Sequence, residues 1–317
     1  MTTGTMKSNM LLLITAAIWG FAFVAQRVGM DFVGPYTFNG VRFALGGLSL
    51  VPLLVMTANG ASGAAGDASV PGTWKTVLGG ALAGSALFLG ASFQQVGLVY
   101  TTAGNAGFIT GLYVVIVPLM GLFWGQRPGV GTWVGAILAA VGLYFLSVTA
   151  AFTIAYGDVL ELIGAFFWAG HVHIIGWLSR RIHPLRIAFV QFLTCSLLSL
   201  AAAVWLEEMT WGGIESALLP ILYGGLMSVG IAYTLQVVAQ KEAHPAHAAI
   251  ILSLEAVFAA LGGWMLLGEL LSLRGLIGCA LMLAGMLLSQ MGPLLRKKNQ
   301  AKDAAAIPSS ADPRGAT

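Results

Sequence analysis

Glu255 lies about 10 to 11 residues into the apolar stretch 245–266. An ionisable group inside such a stretch is costly in lipid, so it marks a functional site by default. A helix would carry it roughly 16 Å from its end, close to the middle of a ~30 Å hydrocarbon core. A carboxyl there could load and release a proton as its surroundings change sides. Arg42 is the second such group, roughly 10 Å from the end of its own helix. It could pair with Glu255, bind the carboxylate of a solute, or anchor the helix by snorkelling.

Aromatic and amide residues accompany these two. Trp19 and Trp168 would each lie roughly 15 Å deep by the same rise, although Trp favours the interface. Two such residues at depth suggest cavity walls that stack on a flat or apolar solute. Tyr113 falls at a depth similar to that of Glu255. Gln94, Gln236 and Asn105 are amides within or at the ends of apolar stretches and are candidate solute contacts. Interhelical hydrogen bonds of about 0.6–2 kcal/mol would account for them equally, as for Gln95. His171 and His173 form an H-x-H pair, and residues two apart do not share a helix face. They make a poor metal site, and His171 is the candidate for a cavity wall.

No phosphate-cradling loop follows a strand, and no Walker A sequence, HExxH or nucleophile elbow occurs. Neither a cofactor nor a metal is expected. The rival reading is an integral-membrane enzyme built on His171 or His173 with Glu255.

The elements that hold these residues follow from composition. Of 317 residues, 58% are apolar and 9% charged, and mean hydropathy is +0.87. A soluble domain carries roughly 25% charged residues. That contrast excludes a soluble enzyme and a disordered chain. The excess of 15 Lys and Arg over 12 Asp and Glu is small and scattered, which is no footprint for nucleic acid. Cys195 and Cys279 both lie in apolar runs and read as buried small hydrophobes.

Charge-free stretches mark the spans. Residues 76–126 hold no Asp, Glu, Lys or Arg, enough for two crossings of about 20 residues with a tight turn. The pattern predicts ten transmembrane helices, over 9–29, 36–56, 76–98, 102–124, 130–149, 157–178, 185–206, 216–238, 245–266 and 272–292. Helix is the default for runs this long, because it satisfies backbone groups in lipid within the segment, and the roughly 10-residue alternating strands of a β-barrel are absent from the sequence. The first run is too long for the core of a signal peptide and lacks a small-residue cleavage site after it. Residues 57–74 read as a small-residue cytoplasmic loop and 293–317 as a disordered cytoplasmic tail.

Loop charges set the orientation. With residues 1–8 as a cytoplasmic N-terminus, the inner side holds Lys7, Lys75, Arg127, Arg180, Arg181, Arg186, Lys241, Arg296, Lys297 and Lys298. The outer side holds Arg27 and Arg274. Both termini are therefore expected in the cytoplasm, with the chain multi-pass in the cell inner (plasma) membrane.

The chain also repeats itself. A shift of 149 lays Leu11, Leu13, Ile14, Ala16 and Trp19 on Leu160, Leu162, Ile163, Ala165 and Trp168, then Pro35 on Pro184 and Arg42 on Gln191. Further along the shift is 142, where Gln94 meets Gln236 and Tyr113 meets Glu255. After one inserted residue, Gly125, Gly135 and Gly142 fall on Gly268, Gly278 and Gly285. The repeats are 9–149 and 157–292. Five helices per repeat is an odd number, so the second copy enters the bilayer from the opposite side. The expected fold is all-α and integral to the membrane, with two inverted five-helix repeats. Inverted repeats are a signature of secondary transporters, with the solute site near the midplane between the halves.

Several of these residues carry a family resemblance. They are Ile18-Trp19-Gly20, Pro35 to Arg42, the stretch from Tyr100 through Asn105 to Gly107, Gly157-Asp158 before Trp168, Leu254-Glu255-Ala256-Val257, and Leu267-Gly268-Glu269. Together they resemble the drug/metabolite transporter superfamily in its ten-helix EamA branch. The resemblance implies an exporter or exchanger of amino acids or other small metabolites. The chain departs from the family where Pro often follows the helix-9 Glu. Ala256 stands there, Val114 stands at the matching place, and Pro118 comes one turn later. Phe21-Ala22-Phe23 after the Trp-Gly pair implies a greasier cavity than is common in the family.

The expected partners are a small-molecule metabolite and membrane lipid, without nucleic acid. Small-residue spacings such as Gly131-x3-Gly135 and Ala280-x3-Ala284 would serve packing within the chain, or a homodimer through helices 5 and 10. Monomer and homodimer both remain open at this point.

Overall fold

The computed structural model describes residues 3–61, 73–125, 129–147, 155–242, 248 and 251–288. The expected tail 293–317, the centre of the loop at 62–72, and Arg127, His244 and His247 lie outside the described residues. Everything described is helix, turn or short connection, with no strand among the described residues.

The elements are α1 (Thr3–Gly29), α2 (Pro35–Ala61), α3 (Thr73–Gly97), α4 (Ala103–Gly111), α5 (Tyr113–Met120), α6 (Val130–Ser147), α7 (Tyr156–Leu178), α8 (Pro184–Leu206) and the short α9 (Trp211–Ser216). They continue with a composite α10 (Leu218–Gln240), α11 (Glu255–Leu267) and α12 (Leu273–Leu288). Among the described residues, seven helical segments are long and apolar enough to cross a membrane, and three shorter apolar helices accompany them at Trp133–Leu146, Glu255–Leu267 and Leu273–Leu288.

Local sequence explains the ends. Pro35 and Pro184 open α2 and α8, where a missing N–H costs nothing. The Thr102 hydroxyl caps α4 by accepting the Asn105 N–H at 3.2 Å. Gly125 and Gly268 terminate their helices at φ of 72° and 66°, a left-handed geometry that glycine enters without strain. These two glycines are repeat partners by the shift of 143.

Three spans depart from the straight helices expected. The 102–124 span breaks at Leu112, where the N–H of Leu112 bonds to Ile109 and that of Val115 to Leu112. The 245–266 span tightens at Ser253–Leu254 in the same way, with Ala256 bonded to Ser253 and Val257 to Leu254. Such three-residue bonds narrow the helix and mark hinges. The breaks precede Tyr113 and Glu255, although neither site has the family's proline. The third departure is a π-helical stretch, Tyr223–Tyr233, inside α10. Helix α1 also begins at Thr3, ahead of the expected residue 9.

The helices pack as antiparallel pairs. Tyr36 meets Glu207 while Gly40 meets Ser196, so α2 and α8 run opposite ways. Along α1 and α10, the Ser8 hydroxyl donates to the Ala239 carbonyl, Thr15 to Ala232, and the Trp19 indole to Ser228. Helices α3 and α7 pair likewise, with Gly97 against Glu161 and Gly90 against Trp168. Helices α6 and α12 cross on glycines: a Cβ at Gly142 would lie 2.6 Å from the Gly278 carbonyl, and one at Gly285 would lie 2.5 Å from that of Gly135. The outside is apolar, with Val204, Trp205, Leu219, Leu270 and Phe123 among its exposed side chains, as a lipid-facing surface requires.

Candidate functional site

Helix α1 aims Trp19, Ala22, Phe23 and Gln26 the same way, a spacing of three, four and seven that makes one face. Helix α7 does the same with Trp168, His171 and Val172. These sets are repeat partners, because 149 separates 19 from 168, 22 from 171 and 23 from 172. Between the two faces lies a cavity completed by Arg42, Gln94, Thr110, Tyr113, Ser228, Tyr233, Gln236 and Glu255. Its volume is about 40 Å³, room for two or three waters. A metabolite enters only if the walls part.

Eight of the nine residues singled out from sequence line this cavity: Trp19, Arg42, Gln94, Tyr113, Trp168, His171, Gln236 and Glu255. Asn105 does not. It sits in the first turn of α4 and lines a separate cleft of about 630 Å³ with Arg27, Asp31, Thr101 and Glu269. The reason is its position near the helix start, a turn and a half above Thr110, which reaches the cavity.

The cavity walls are aromatic and close-packed around Tyr233. Its ring lies 4.6 Å from Trp19, 6.2 Å from Trp168 and 6.4 Å from His171, centre to centre. The Trp19 indole N–H donates to the Ser228 carbonyl at 3.2 Å. The His171 Nε2 bonds Gln191 Oε1 at 3.0 Å, so the repeat partner of Arg42 orients a cavity residue. His173 faces away from the cavity and bonds the Val117 carbonyl at 3.0 Å.

Arg42 does not pair with Glu255. Among the described residues the one ion pair is Arg27 with Asp31. The Arg42 guanidinium instead lies over two rings, 5.4 Å from the centre of Phe38 and 5.1 Å from that of Phe43, a cation–π arrangement. It is also almost fully buried, which excludes a snorkelling role in this conformation.

Four polar atoms of cavity residues have no hydrogen-bond partner among the described residues: Gln26 Oε1, Arg42 Nε, Trp168 Nε1 and Gln236 Oε1. The Tyr113 hydroxyl and the Glu255 carboxyl, repeat partners, face each other within hydrogen-bond reach. Buried polar atoms are normally satisfied, so such a concentration requires an explanation. It offers free donors from Arg42 and Trp168 and free acceptors from the amides, beside the Tyr113–Glu255 pair. That mixture suits a small zwitterionic or polar solute with an apolar or flat portion.

Sequence reasoning missed Gln26, Thr110, Ser228 and Tyr233 as cavity residues. Gln26 was within reach, since it stands seven residues after Trp19 on the same helical face. Tyr233 was less accessible, because the π-helical turns of α10 shift side-chain directions off the 3.6-residue period. Glu161 was missed too. It is fully buried behind the cavity wall, accepting a hydrogen bond from Thr110 Oγ1 at 2.9 Å. Among the described residues no group of three or more His, Cys, Asp and Glu is arranged to hold a metal ion.

The EamA-like transporter family matches residues 6–148 and again 155–291. The chain belongs to the EamA family. An uncharacterized transporter of Archaeoglobus fulgidus is 34% identical over 278 residues, covering 87% of this chain and 83% of that one. The uncharacterized transporter YwfM of Bacillus subtilis is 28% identical over 310 residues, 93% of this chain and 99% of its own length. The protein WALLS ARE THIN 1 of Arabidopsis thaliana is 29% identical over 164 residues, covering 47% of this EamA chain and 41% of that protein. A solved crystal structure superposes with a TM-score of 0.66 at 19% identity, over 92% of this chain and 98% of the other, which establishes a shared fold. This is a multi-pass membrane protein of a transporter family, and its relatives point to transport rather than catalysis.

Proposed function

We propose that this chain is a secondary active transporter of a small organic metabolite such as an amino acid, exporting or exchanging it by alternating access between two inverted five-helix halves. Ten helices cross the inner membrane in this reading, with both termini in the cytoplasm. Glu255 is the proton-coupling group. Trp19, Arg42, Gln94, Tyr113, Trp168, His171 and Gln236 contact the solute.

The observation that carries the reading is the pairing of repeat partners around one cavity. Trp19 and Trp168, Gln94 and Gln236, and Tyr113 and Glu255 all line it. The helix pairings support inversion as well. Repeat-related α2 and α8 lie antiparallel against each other, and the pairing of α1 with α10 has its counterpart in that of α7 with α3. Two halves related in this way have two arrangements of similar energy, one open to each side. With no phosphate-binding loop in the sequence, uphill movement draws on exchange or an ion gradient.

Thermal-shift screening of amino acids, nucleosides and amines on detergent-purified protein selects a solute. Counterflow and net flux of that solute are then compared in proteoliposomes for the native protein and Glu255→Gln. Exchange that survives while net flux loses its pH dependence is the expected result. Unchanged net flux with an unchanged pH profile would refute the coupling role.

A further inference from the structure

Two acids lie on one face of the first turns of α7, outside the cavity. Asp158 accepts a hydrogen bond from the Thr101 hydroxyl at 2.6 Å, and Thr101 lines the cleft at the Asp31 end of the molecule. Glu161 comes three residues later and is fully buried. The Thr110 hydroxyl donates to Glu161 Oε2 at 2.9 Å and receives the Gln94 amide at 3.3 Å. Thr110 and Gln94 both line the cavity. Glu161 Oε1 has no hydrogen-bond partner among the described residues. Space for this carboxyl is made by a glycine: a Cβ at Gly97 would lie 2.9 Å from Glu161 Oε1.

We propose that Glu161 is a second proton-carrying carboxyl, linked to the cavity through Thr110 and to the Asp31-end cleft through Asp158 and Thr101. The inference rests on the transporter reading of the cavity and adds the route by which protons reach it. Placement favours a carrier over a packing residue. The two acids with a plain structural role, Glu207 and Glu269, stand at the ends of their own helices and cap the backbone N–H groups that open α2 and α4. Glu161 accepts from a side-chain hydroxyl and keeps one oxygen unpartnered among the described residues.

The groups around it are few. Helices α3, α4, α5 and the last part of α10 pack against α7; α3 carries Lys75 at the end away from Glu161, and residues 76–125 and 218–240 contain no Asp, Glu, Lys, Arg or His. Asp158 is the nearest charged neighbour on its own helix. Arg27, Asp31 and Glu269 stand farther off around the cleft, and Tyr100 closes on Tyr156 at the α7 start.

The transfer balances with solvent water alone. Hydronium in the cleft gives a proton to Thr101 Oγ and leaves water, as the Thr101 hydroxyl proton passes along its hydrogen bond to the buried Asp158 carboxylate. The Asp158 O–H then breaks as an O–H forms on Glu161, directly or through one water. The Thr110 hydroxyl, which here donates to Glu161, turns toward a cavity water; protonated Glu161 then gives its proton to Thr110 Oγ as the hydroxyl proton leaves to that water and on to an ionised Glu255. The reverse sequence empties the route.

Infrared difference spectroscopy of the purified full-length protein tests this with protons as the only ligand. Spectra are taken across a pH titration in H₂O and D₂O. The native protein should show two buried-acid C=O signals. Glu161→Gln keeps an acceptor for Thr110 and should lose one of them, while Glu255→Gln should lose the other. Thr110→Val should shift the frequency of the Glu161 signal without abolishing it. After a pH jump, Asp158→Asn should slow the rise of that signal by about tenfold or more. A Glu161→Gln spectrum identical to the native one overturns the proposal, and an unaltered rate in Asp158→Asn removes its route. A Glu255→Gln spectrum identical to the native one overturns only the role of Glu255, so the two failures are distinct.

Discussion

The Glu207 carboxylate at the end of α8 holds Thr37 at the start of α2 twice, accepting its backbone N–H at 2.8 Å and its hydroxyl at 2.7 Å. It also takes the Tyr36 N–H at 2.7 Å. Glu269, just past α11, does the same for α4, accepting from Ala103 and Gly104 at 2.9 and 3.0 Å. Both carboxylates lie at the Asp31 end and satisfy N-terminal amides that no helix can pair internally. Each joins an element of the second repeat to one of the first.

These clasps predict a stability loss. Glu207→Ala and Glu269→Ala should each lower the unfolding free energy by about 1–3 kcal/mol, as expected for hydrogen bonds to a charged group. Thermal unfolding in detergent measures the change. An unaltered midpoint in both variants would mean that water replaces the carboxylates without cost.

The ring cluster predicts a graded effect on binding. Tyr233 touches Trp19, Trp168 and His171, so Tyr233→Ala should weaken solute binding by about tenfold or more, with Tyr233→Phe close to native. Fluorescence titration of the cavity tryptophans reports both. Equal losses in the two variants would assign the contribution to the hydroxyl instead of the ring.

Arg42 predicts a charge-independent loss. Its guanidinium lies over Phe38 and Phe43, and the compact ammonium of lysine cannot reproduce that planar stacking. Arg42→Lys should therefore reduce affinity for a carboxylate-bearing solute by a factor comparable to that of Arg42→Gln. Full activity of the lysine variant would leave only a point charge as its function.

The glycine crossing predicts opposite signs at two glycines. Gly142→Ala places a Cβ against backbone atoms of Gly278 and Met282 and should destabilise by about 1–3 kcal/mol. A Cβ at Gly170 meets nothing within 4 Å, so Gly170→Ala should be neutral or stabilising by up to about 1 kcal/mol. Thermal unfolding of the two variants side by side checks the contrast.

Much of this was legible in the sequence for a physical reason. Lipid permits so few charges that Glu255 and Arg42 stand out, and a duplicated chain displays Trp19 with Trp168 and Tyr113 with Glu255 at fixed shifts. The apolar runs located helices because they are long and lack the alternation of barrel strands, and a helix satisfies its own backbone. Interruptions were not legible. The tightening at Leu112 and Ser253–Leu254 occurs without the proline that would announce it, and the π-helical turns of α10 carry no residue signature. Tyr233 was hidden by that change of period. Glu161 was hidden because an acid one turn into a helix reads as a surface residue until a neighbouring Thr110 closes over it. Asn105 lies in the Asp31-end cleft instead of the cavity, a placement its position at a helix start does not reveal.

Alternating exposure of the cavity is the central claim, and Ala22→Cys on a background with Cys195 and Cys279 replaced by alanine tests it most directly. A charged, membrane-impermeant thiol reagent is applied to right-side-out and inside-out vesicles, with and without a Thr37→Cys, Glu207→Cys cross-link across the Asp31 end. The account predicts labelling from either side in the open protein, and labelling only from the side opposite the cross-link once it forms. Labelling from neither side, or from both sides despite the cross-link, would contradict it.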